Sequence, residues 1–244
     1  MELETMRYEV SDNVAHVRFD RPEAANGVSA AFARDLRSVM GEIDFDPDVR
    51  AAVVTAEGKV FCGGGDLKEF HAAGADLPRA GSDLIIDFHA ALVKMNRLPK
   101  PFVAGVGGTA GGAGLSMVGA FDLVVAGESA RFTMAYTRAG MTPDGTSSYF
   151  IARHIGLRRM MDLTLTNRLL SAAEAETWGL VNRVVADDEV DEAAAELARQ
   201  LAQGAPYAVG RAKRVIYEGY DSALEAAGEL EAQGIVGAMA TNDG

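Results

Sequence analysis

The chain has 244 residues, a net charge of −12, 48% apolar residues and a single cysteine, Cys62. This length suits one core domain, and the negative charge argues against binding to nucleic acid, which requires Lys and Arg to neutralise phosphates. No run approaches the roughly 20 apolar residues of a membrane span, and one cysteine excludes an internal disulfide. The acidic N-terminus lacks the basic and apolar regions of a signal peptide. We therefore expect a cytoplasmic protein with no membrane or nucleic-acid partner.

Strands and helices alternate in the first half of the chain. The hydrophobic periodicity predicts strands at 6–10, 14–20, 50–55 and 102–106, and helices over 29–45 and 83–97. Ser29 is the predicted N-cap of the first helix, and Asp66 is predicted to cap a short helix with Glu69 as its capping-box partner. Residues 73–82, rich in Gly, Ala and charge, are interpreted as a mobile loop.

Beyond Gly145 the pattern is almost entirely helical. Helices are predicted over 146–154, 157–166, 172–178, 189–203, 206–218 and 221–239, with one strand at 181–185. The sequence therefore predicts an α/β protein of repeated β-β-α units. Its core covers residues 1–185, and a C-terminal helical region follows over 186–244.

Two glycine-rich segments, 61–67 (FCGGGDL) and 107–114 (GGTAGGAG), each lead from an apolar strand into a predicted helix. Glycine lets the backbone approach a ligand closely, and a helix N-terminus adds free N–H donors and the positive end of a dipole. Neither segment matches the common nucleotide-binding patterns. Two such segments in one domain can direct N–H groups at one oxygen atom, so the pattern indicates an oxyanion hole.

Together these segments resemble those of the crotonase (enoyl-CoA hydratase/isomerase) family. Residues 21–26 (RPEAAN) are similar to the family's RPxAxN turn, 61–67 to its FxAGADL segment, and 112–122 to its GGG…CD segment. Phe132, Gly140, 143–145 (PDG) and 172–181 follow in the family's order and spacing. The resemblance covers nearly the whole chain. It implies a crotonase-like spiral with trimer contacts in the C-terminal region, and hence a homotrimer or a dimer of trimers.

The resemblance also implies an acyl-CoA thioester as substrate, so coenzyme A arrives with the substrate and no separate cofactor is expected. The backbone N–H groups of Gly65 and Ala113, with Gly112 beside Ala113, then fall where the family polarises the thioester carbonyl. Four further positions fall where the family wraps the CoA adenine and pantetheine arm: Ala24, Gly63, Asp66 and Leu67.

Both acid–base positions of enoyl-CoA hydratases depart from the family pattern. The resemblance implies that the family's two water-activating glutamates correspond to positions 116 and 136, which carry Ser116 and Tyr136 in this chain. A serine needs a base beside it, and a tyrosine with a pKa near 10 is a poor base at neutral pH. Classical hydration is therefore disfavoured, and we count Ser116 and Tyr136 among the substrate-binding residues.

One carboxylate remains at a family position for proton transfer, Asp144, where dienoyl-CoA isomerases and ring-epoxide isomerases carry theirs. An Asp in a dry acyl pocket can shuttle a proton between two carbons, although P-D-G is also a common turn. We predict an enoyl-CoA isomerase with Asp144, Gly65 and Ala113 as its catalytic groups. The alternatives are a hydratase or hydrolase that recruits water through Asp144, and a catalytically silent acyl-CoA-binding homologue.

The remaining reactive residue types predict no further site. Cys62 is interpreted as a small buried thiol. The four histidines show no metal-ligand spacing, so no metal is expected. Of these histidines, we expect only His71 near the site.

Overall fold

The computed structural model describes residues 2–241, in which ten strands form two sheets. The strands are β1 Met6–Ser11, β2 Val14–Phe19, β3 Ala51–Ala56, β4 Val60–Cys62, β5 Phe102–Val106, β6 Thr109–Gly111, β7 Leu123–Gly127, β8 Arg131–Thr133, β9 Leu170–Ser171 and β10 Arg183–Val185. The larger sheet has the order β1-β2-β3-β5-β7-β10, antiparallel between β1 and β2 and parallel elsewhere. The smaller sheet has the order β4-β6-β8-β9.

Ten α-helices surround these sheets in the described chain. They are α1 Ala30–Phe45, α2 Leu67–Ala73, α3 Leu77–Arg97, α4 Ala113–Ala120, α5 Ser147–Ile155, α6 Leu157–Thr166, α7 Ala172–Trp178, α8 Val190–Ala202, α9 Pro206–Tyr220 and α10 Leu224–Met239. None of the helices within residues 2–241 has the length and apolar character that crossing a membrane requires.

The predicted β-β-α repeat is confirmed, and it explains why there are two sheets. In the successive pairs β3-β4, β5-β6 and β7-β8, the first strand joins the larger sheet and the second joins the smaller one. Each pair is followed by helical structure. The repeat therefore places the ends of β4 and β6, which carry the two glycine-rich segments, side by side.

Local sequence signals set the helix ends largely as predicted. Ser29 Oγ accepts a hydrogen bond from Phe32 N and so begins α1, and Asp66 accepts from Lys68 N and Glu69 N to begin α2. The predicted capping box at Asp66 is incomplete. The Glu69 carboxylate instead accepts from Ala30 N, because Asp66 N already donates to Val28 O.

The prediction of a mobile loop over 73–82 is wrong. A 3-10 turn at Gly74–Asp76 leads directly into α3, which begins at Leu77. Pro78 lies in the first turn of α3, where its fixed φ favours a helix and its missing N–H costs nothing. The Gly and Ala content does not exclude a helix, because Ala80 is a strong helix former and Gly81 costs only about 1 kcal/mol.

Two apolar layers flank the larger sheet. One face packs against α1, α3 and the smaller sheet, and the other against the alanine face of α8 formed by Ala194, Ala198 and Ala202. Helices α9 and α10 pack against each other. The boundary at residue 185 stays a prediction, and residues 242–244 of the predicted C-terminal region lie outside the described residues.

Candidate active site

The two glycine-rich segments approach each other backbone to backbone. A Cβ added at Gly64 would lie 3.2 Å from Gly111 O, and one added at Gly114 would lie only 2.2 Å from Cys62 O. Gly64 and Gly112 also adopt φ values of +114° and +49°. Only glycine meets both demands without strain, so these residues allow the ends of β4 and β6 to meet.

This approach leaves two backbone donors free at neighbouring segments. Ala113 is the first residue of α4, where a helix N–H has no acceptor within the helix. Gly65 forms a parallel bridge with Val28 through Gly64 O and Asp66 N, which directs Gly65 N–H away from Val28. Within residues 2–241, neither N–H donates to a protein acceptor. Both residues line the same cavity, as an oxyanion hole requires.

The cavity has a volume of about 1000 Å³ and lies between α2, α3, the start of α4 and the segment 135–144. Its walls include Leu77, Leu84, Phe88 and Met141, so most of its lining is apolar. Seven of the predicted site residues line it: Gly63, Gly65, Leu67, Gly112, Ala113, Tyr136 and Asp144. Three do not: Ala24, Asp66 and Ser116.

Asp144 is paired with a histidine that the sequence analysis did not select. His89 Nε2 lies 2.7 Å from Asp144 Oδ1, and Gly145 N lies 3.3 Å from the same nitrogen. The expectation that only His71 lies near the site is therefore wrong. His89 follows the buried cavity residue Phe88 on α3, 55 residues before Asp144. No spacing rule joins these two positions, and only the packing of α3 against the Asp144 segment brings them together.

Comparisons with known proteins identify the family of this chain. The family model described as enoyl-CoA hydratase/isomerase matches residues 9–243. The chain belongs to this family. It is 36% identical to 4-chlorobenzoyl coenzyme A dehalogenase-2 of an Arthrobacter species, over 95% of this chain and 84% of the relative. It is 29% identical to 1,2-epoxyphenylacetyl-CoA isomerase of Escherichia coli, over 94% of this chain and 88% of the relative.

Solved structures of the family have the same fold as this chain over nearly its whole length. The enoyl-CoA hydratase structure from Bacillus anthracis has a TM-score of 0.93 and 29% identity, covering 98% of this chain and 93% of that one. The predicted crotonase fold is thereby confirmed, together with the assignment of this chain to the acyl-CoA enzymes of the family. The relatives include a hydratase, an isomerase and a dehalogenase, so membership alone does not select the reaction.

In this crotonase, the two positions implied for hydratase glutamates carry a hydroxyl pair. Ser116 Oγ lies 2.9 Å from Tyr136 OH and 2.8 Å from the carbonyl oxygen of Asp144. Ser116 is fully buried and does not line the cavity, so it contacts the site residues without facing the cavity itself. Burial raises the pKa of the Tyr136 phenol, and the nearby Asp144 carboxylate raises it further, against a lowering by the Ser116 hydrogen bond. Tyr136 is therefore a neutral hydrogen-bonding group at physiological pH.

Ala24 and Asp66 have local structural contacts instead of a place in the cavity wall. Ala24 ends a 3-10 turn at Pro22–Ala24. Asp66 caps α2, and its carboxylate lies 3.2 Å from Arg21. Their assignment to the CoA site stays a prediction.

The remaining reactive groups are separate from this chemistry. Cys62 is buried, and desolvation raises the pKa of its thiol to about 12, so the thiol is neutral at physiological pH. Among the described residues, no cluster of three or more His, Cys, Asp or Glu side chains could hold a metal ion. The titratable groups closest to the two backbone donors are therefore Asp144, which lines the cavity, and His89, which contacts Asp144.

Proposed function

We propose that this chain is an acyl-CoA isomerase that moves a double bond by proton transfer through Asp144. The observation that carries the proposal is that Asp144 is the only carboxylate lining the cavity in the described part of the chain. The two positions implied for water-activating glutamates carry the neutral pair Ser116 and Tyr136. A cavity with one carboxylate and two oxyanion donors suits removal and return of one proton.

The proposed reaction begins with the thioester carbonyl accepting hydrogen bonds from Gly65 N–H and Ala113 N–H. The Asp144 carboxylate removes a proton from the α carbon of a 3-enoyl thioester. The electron pair of the broken C–H bond moves toward the carbonyl, whose oxygen becomes the enolate oxygen held by the two donors. As the carbonyl reforms, Asp144 returns the proton to the γ carbon, and the double bond lies between the α and β carbons.

The test follows 3-enoyl-CoA and 2-enoyl-CoA substrates in D₂O. An isomerase converts the first into the second and exchanges deuterium at the α or γ carbon. Crotonyl-CoA hydration should be slow, because no carboxylate pair holds the water. Hydration with a kcat of about 10 s⁻¹ or more, typical of enzymes, would instead support the hydratase alternative. Acyl-CoA binding with no turnover of any substrate would support a catalytically silent homologue.

The His89–Asp144 contact favours a second candidate, hydrolytic dehalogenation of an aromatic acyl-CoA. One relative at 36% identity bears the name of a 4-chlorobenzoyl-CoA dehalogenase. An aspartate can act as a nucleophile, and a neighbouring histidine can then deprotonate water. The His89 side chain is 40% exposed, so water can reach the imidazole.

In this reaction, Asp144 Oδ adds to the ring carbon that carries chlorine, para to the thioester carbonyl. The displaced electron pair reaches the carbonyl oxygen in the oxyanion hole, and its return expels chloride and leaves an aryl ester of Asp144. Water, deprotonated by His89, attacks the carbonyl carbon of that ester. The phenol is released and Asp144 is regenerated, so the balance is one water consumed for one chloride and one proton released.

Chloride release from 4-chlorobenzoyl-CoA separates the two candidates. A single turnover in H₂¹⁸O with enzyme in excess should leave ¹⁶O in the phenol and place ¹⁸O in Asp144. His89→Gln should accumulate the aryl ester. Absence of chloride together with rapid 3-enoyl-CoA conversion would exclude dehalogenation and support the isomerase.

We also propose that the chain assembles as a homotrimer or a dimer of trimers in the cytoplasm. Large apolar side chains are exposed along α6, where Leu157, Met161 and Leu165 recur once per turn, and along α10. Sedimentation of Ile235→Glu should reveal a smaller species if the α10 face is an interface. Gln233→Glu, on the same helix, is the matched control, and an unchanged mass for Ile235→Glu would contradict the role of this face.

A further inference from the structure

The peptide group between Asp144 and Gly145 is held at both of its edges. Its carbonyl oxygen lies 2.8 Å from Ser116 Oγ and 3.4 Å from Tyr136 OH, and it also accepts from the backbone N–H of Ser147 at 3.3 Å. Its N–H, on Gly145, points at His89 Nε2 at 3.3 Å. Ser116 and Tyr136 thus contact the carbonyl side of this peptide. Its N–H side faces His89, which also contacts the Asp144 side chain.

Counting protons gives this network a direction. Ser116 has one hydroxyl proton and three oxygen neighbours, of which Gly112 O and Asp144 O can only accept. The shorter of these two contacts, 2.8 Å against 3.2 Å, is to Asp144 O. Tyr136 OH then donates to Ser116 Oγ, and Ser116 donates to the Asp144 carbonyl. In this buried series of hydrogen bonds, each bond polarises the next.

At the other edge, His89 Nε2 cannot satisfy both of its neighbours at once. With a proton, Nε2 donates to Asp144 Oδ1, and without one it accepts from Gly145 N–H. The orientation of the Asp144–Gly145 peptide therefore influences which ring nitrogen carries the proton. A peptide free to rotate would withdraw its N–H from the ring and change the balance between these arrangements.

We propose that Ser116 is a positioning residue, supported by Tyr136, that fixes the Asp144–Gly145 peptide and thereby sets the geometry of the His89–Asp144 pair and the tautomer of the His89 ring. The inference rests on the proposed role of Asp144 as the reacting carboxylate. Ser116 acts through the peptide and does not line the cavity. Gly145 has a φ of +59°, and a Cβ there would lie 2.9 Å from Ser116 Cβ, so serine and peptide are in close contact.

A matched control is available two residues beyond this peptide. Ser147 is also buried, and within the described chain its Oγ has no hydrogen-bond partner. Ser116→Ala and Ser147→Ala thus make the same chemical change in the same region, but only the first removes a hydrogen bond to the Asp144 carbonyl. A merely structural effect of losing a buried hydroxyl would be similar in both variants.

The first measurement needs no substrate. The ¹⁵N signals of the four histidines report which ring nitrogen is protonated, and His89→Gln assigns the His89 signals by their loss. We expect Ser116→Ala and Tyr136→Phe to shift the His89 signals, and Ser147→Ala to leave them unchanged. Unchanged His89 signals in both site variants would overturn the proposal, whatever reaction the enzyme performs. If Ser116→Ala does not fold, Tyr136→Phe decides.

The second measurement uses whichever of 3-enoyl-CoA and 4-chlorobenzoyl-CoA the wild type turns over. Misplacing a reacting group by about 1 Å can cost about 100-fold, so we expect Ser116→Ala to lower kcat by about 10- to 100-fold. Its KM should stay within about threefold, since the cavity wall is intact. The kcat losses of Ser116→Ala and Tyr136→Phe should combine in the double variant to less than their product, because the two residues act through one network. A double-variant loss equal to that product would overturn the coupling of the pair. Failure of both substrates would count against the proposed function and leave the histidine signals as the test.

Discussion

Asp144 carries the only carboxylate among the described residues that line the cavity. Its Oδ1 lies 2.7 Å from His89 Nε2. Asp144→Asn is nearly isosteric and removes both the base and the nucleophile. We expect kcat to fall by about 10²–10⁴-fold with substrate affinity within a few-fold, because the carboxylate acts on the reacting atoms. Steady-state kinetics and binding of a non-reactive acyl-CoA measure the two effects. Wild-type turnover in this variant would move the reaction to another group.

At Ala113 the backbone N–H can be deleted with little harm to folding. Proline is well tolerated at the first position of a helix, and Ala113 is that position in α4. Loss of one oxyanion donor typically costs about 10²–10³-fold in kcat, so Ala113→Pro should show a loss of that size. Ala113→Gly retains the N–H and should be nearly neutral. A folded Ala113→Pro variant with normal kcat would mean that the oxyanion hole lies elsewhere.

Among the helices, α9 is joined to the core by a buried ion pair. Lys213 Nζ lies 2.8 Å from Asp122 Oδ2 and also donates to Met95 O and Lys100 O. The Asp122 carboxylate accepts further hydrogen bonds from Phe102 N and Tyr217 OH. This network links α9 to the end of α3 and to the segment between α4 and β7.

Lys213→Met should therefore destabilise the fold by about 3–5 kcal/mol, because it leaves the buried Asp122 carboxylate without its partner. Adding Asp122→Asn should restore part of the loss. The free energy of unfolding in urea measures both, and Lys68→Met on the exposed side of α2 is the control. A loss below about 1 kcal/mol in Lys213→Met would show that the pair contributes little to the attachment of α9.

For the whole molecule, we expect the burial of Cys62 to lower the free energy of unfolding at alkaline pH. Desolvation raises the pKa of its thiol in the folded state from 9.0 to about 12, so only the unfolded chain releases this proton between those values. A raised pKa stabilises the fold below the unfolded-state value, and that contribution is lost as the pH rises toward 12. The loss is about 1.4 kcal/mol per pH unit within this window.

Urea unfolding of wild type and Cys62→Ala at pH 8 and pH 10.5 tests this linkage. The wild type should lose about 2 kcal/mol more than the variant between these pH values. The cavity left by the smaller side chain contributes equally at both pH values and cancels in the difference. Parallel losses in the two proteins would contradict the assignment to Cys62.

Most helices and five of the six strands of the larger sheet could be predicted, because their signals are local; β7 was not predicted. Ser29 begins α1 by binding a backbone N–H three residues later, and α6 and α7 follow the predicted ranges. The start of α3 could not be predicted, because Gly74 and Gly81 suggested a turn. Gly81 costs the helix only about 1 kcal/mol relative to Ala, which the packing of α3 offsets. The two- and three-residue strands of the smaller sheet are too short for a periodic signal of their own.

The sequence by itself determined the fold family and the two glycine turns, because the segments that carry the resemblance are each continuous in the chain. The same resemblance singled out Gly65, Ala113 and Asp144, whose catalytic roles stay predictions. Only the tertiary structure decided that His89 contacts Asp144 and that Ser116 and Tyr136 hold the carbonyl of Asp144. The contacts of His89 with Asp144 and of Ser116 with Tyr136 and Asp144 join residues 20 to 55 positions apart. The physical reason is that periodicity and capping record hydrogen bonds within a turn or two. Which side chains meet across helices and sheets depends instead on how those elements pack.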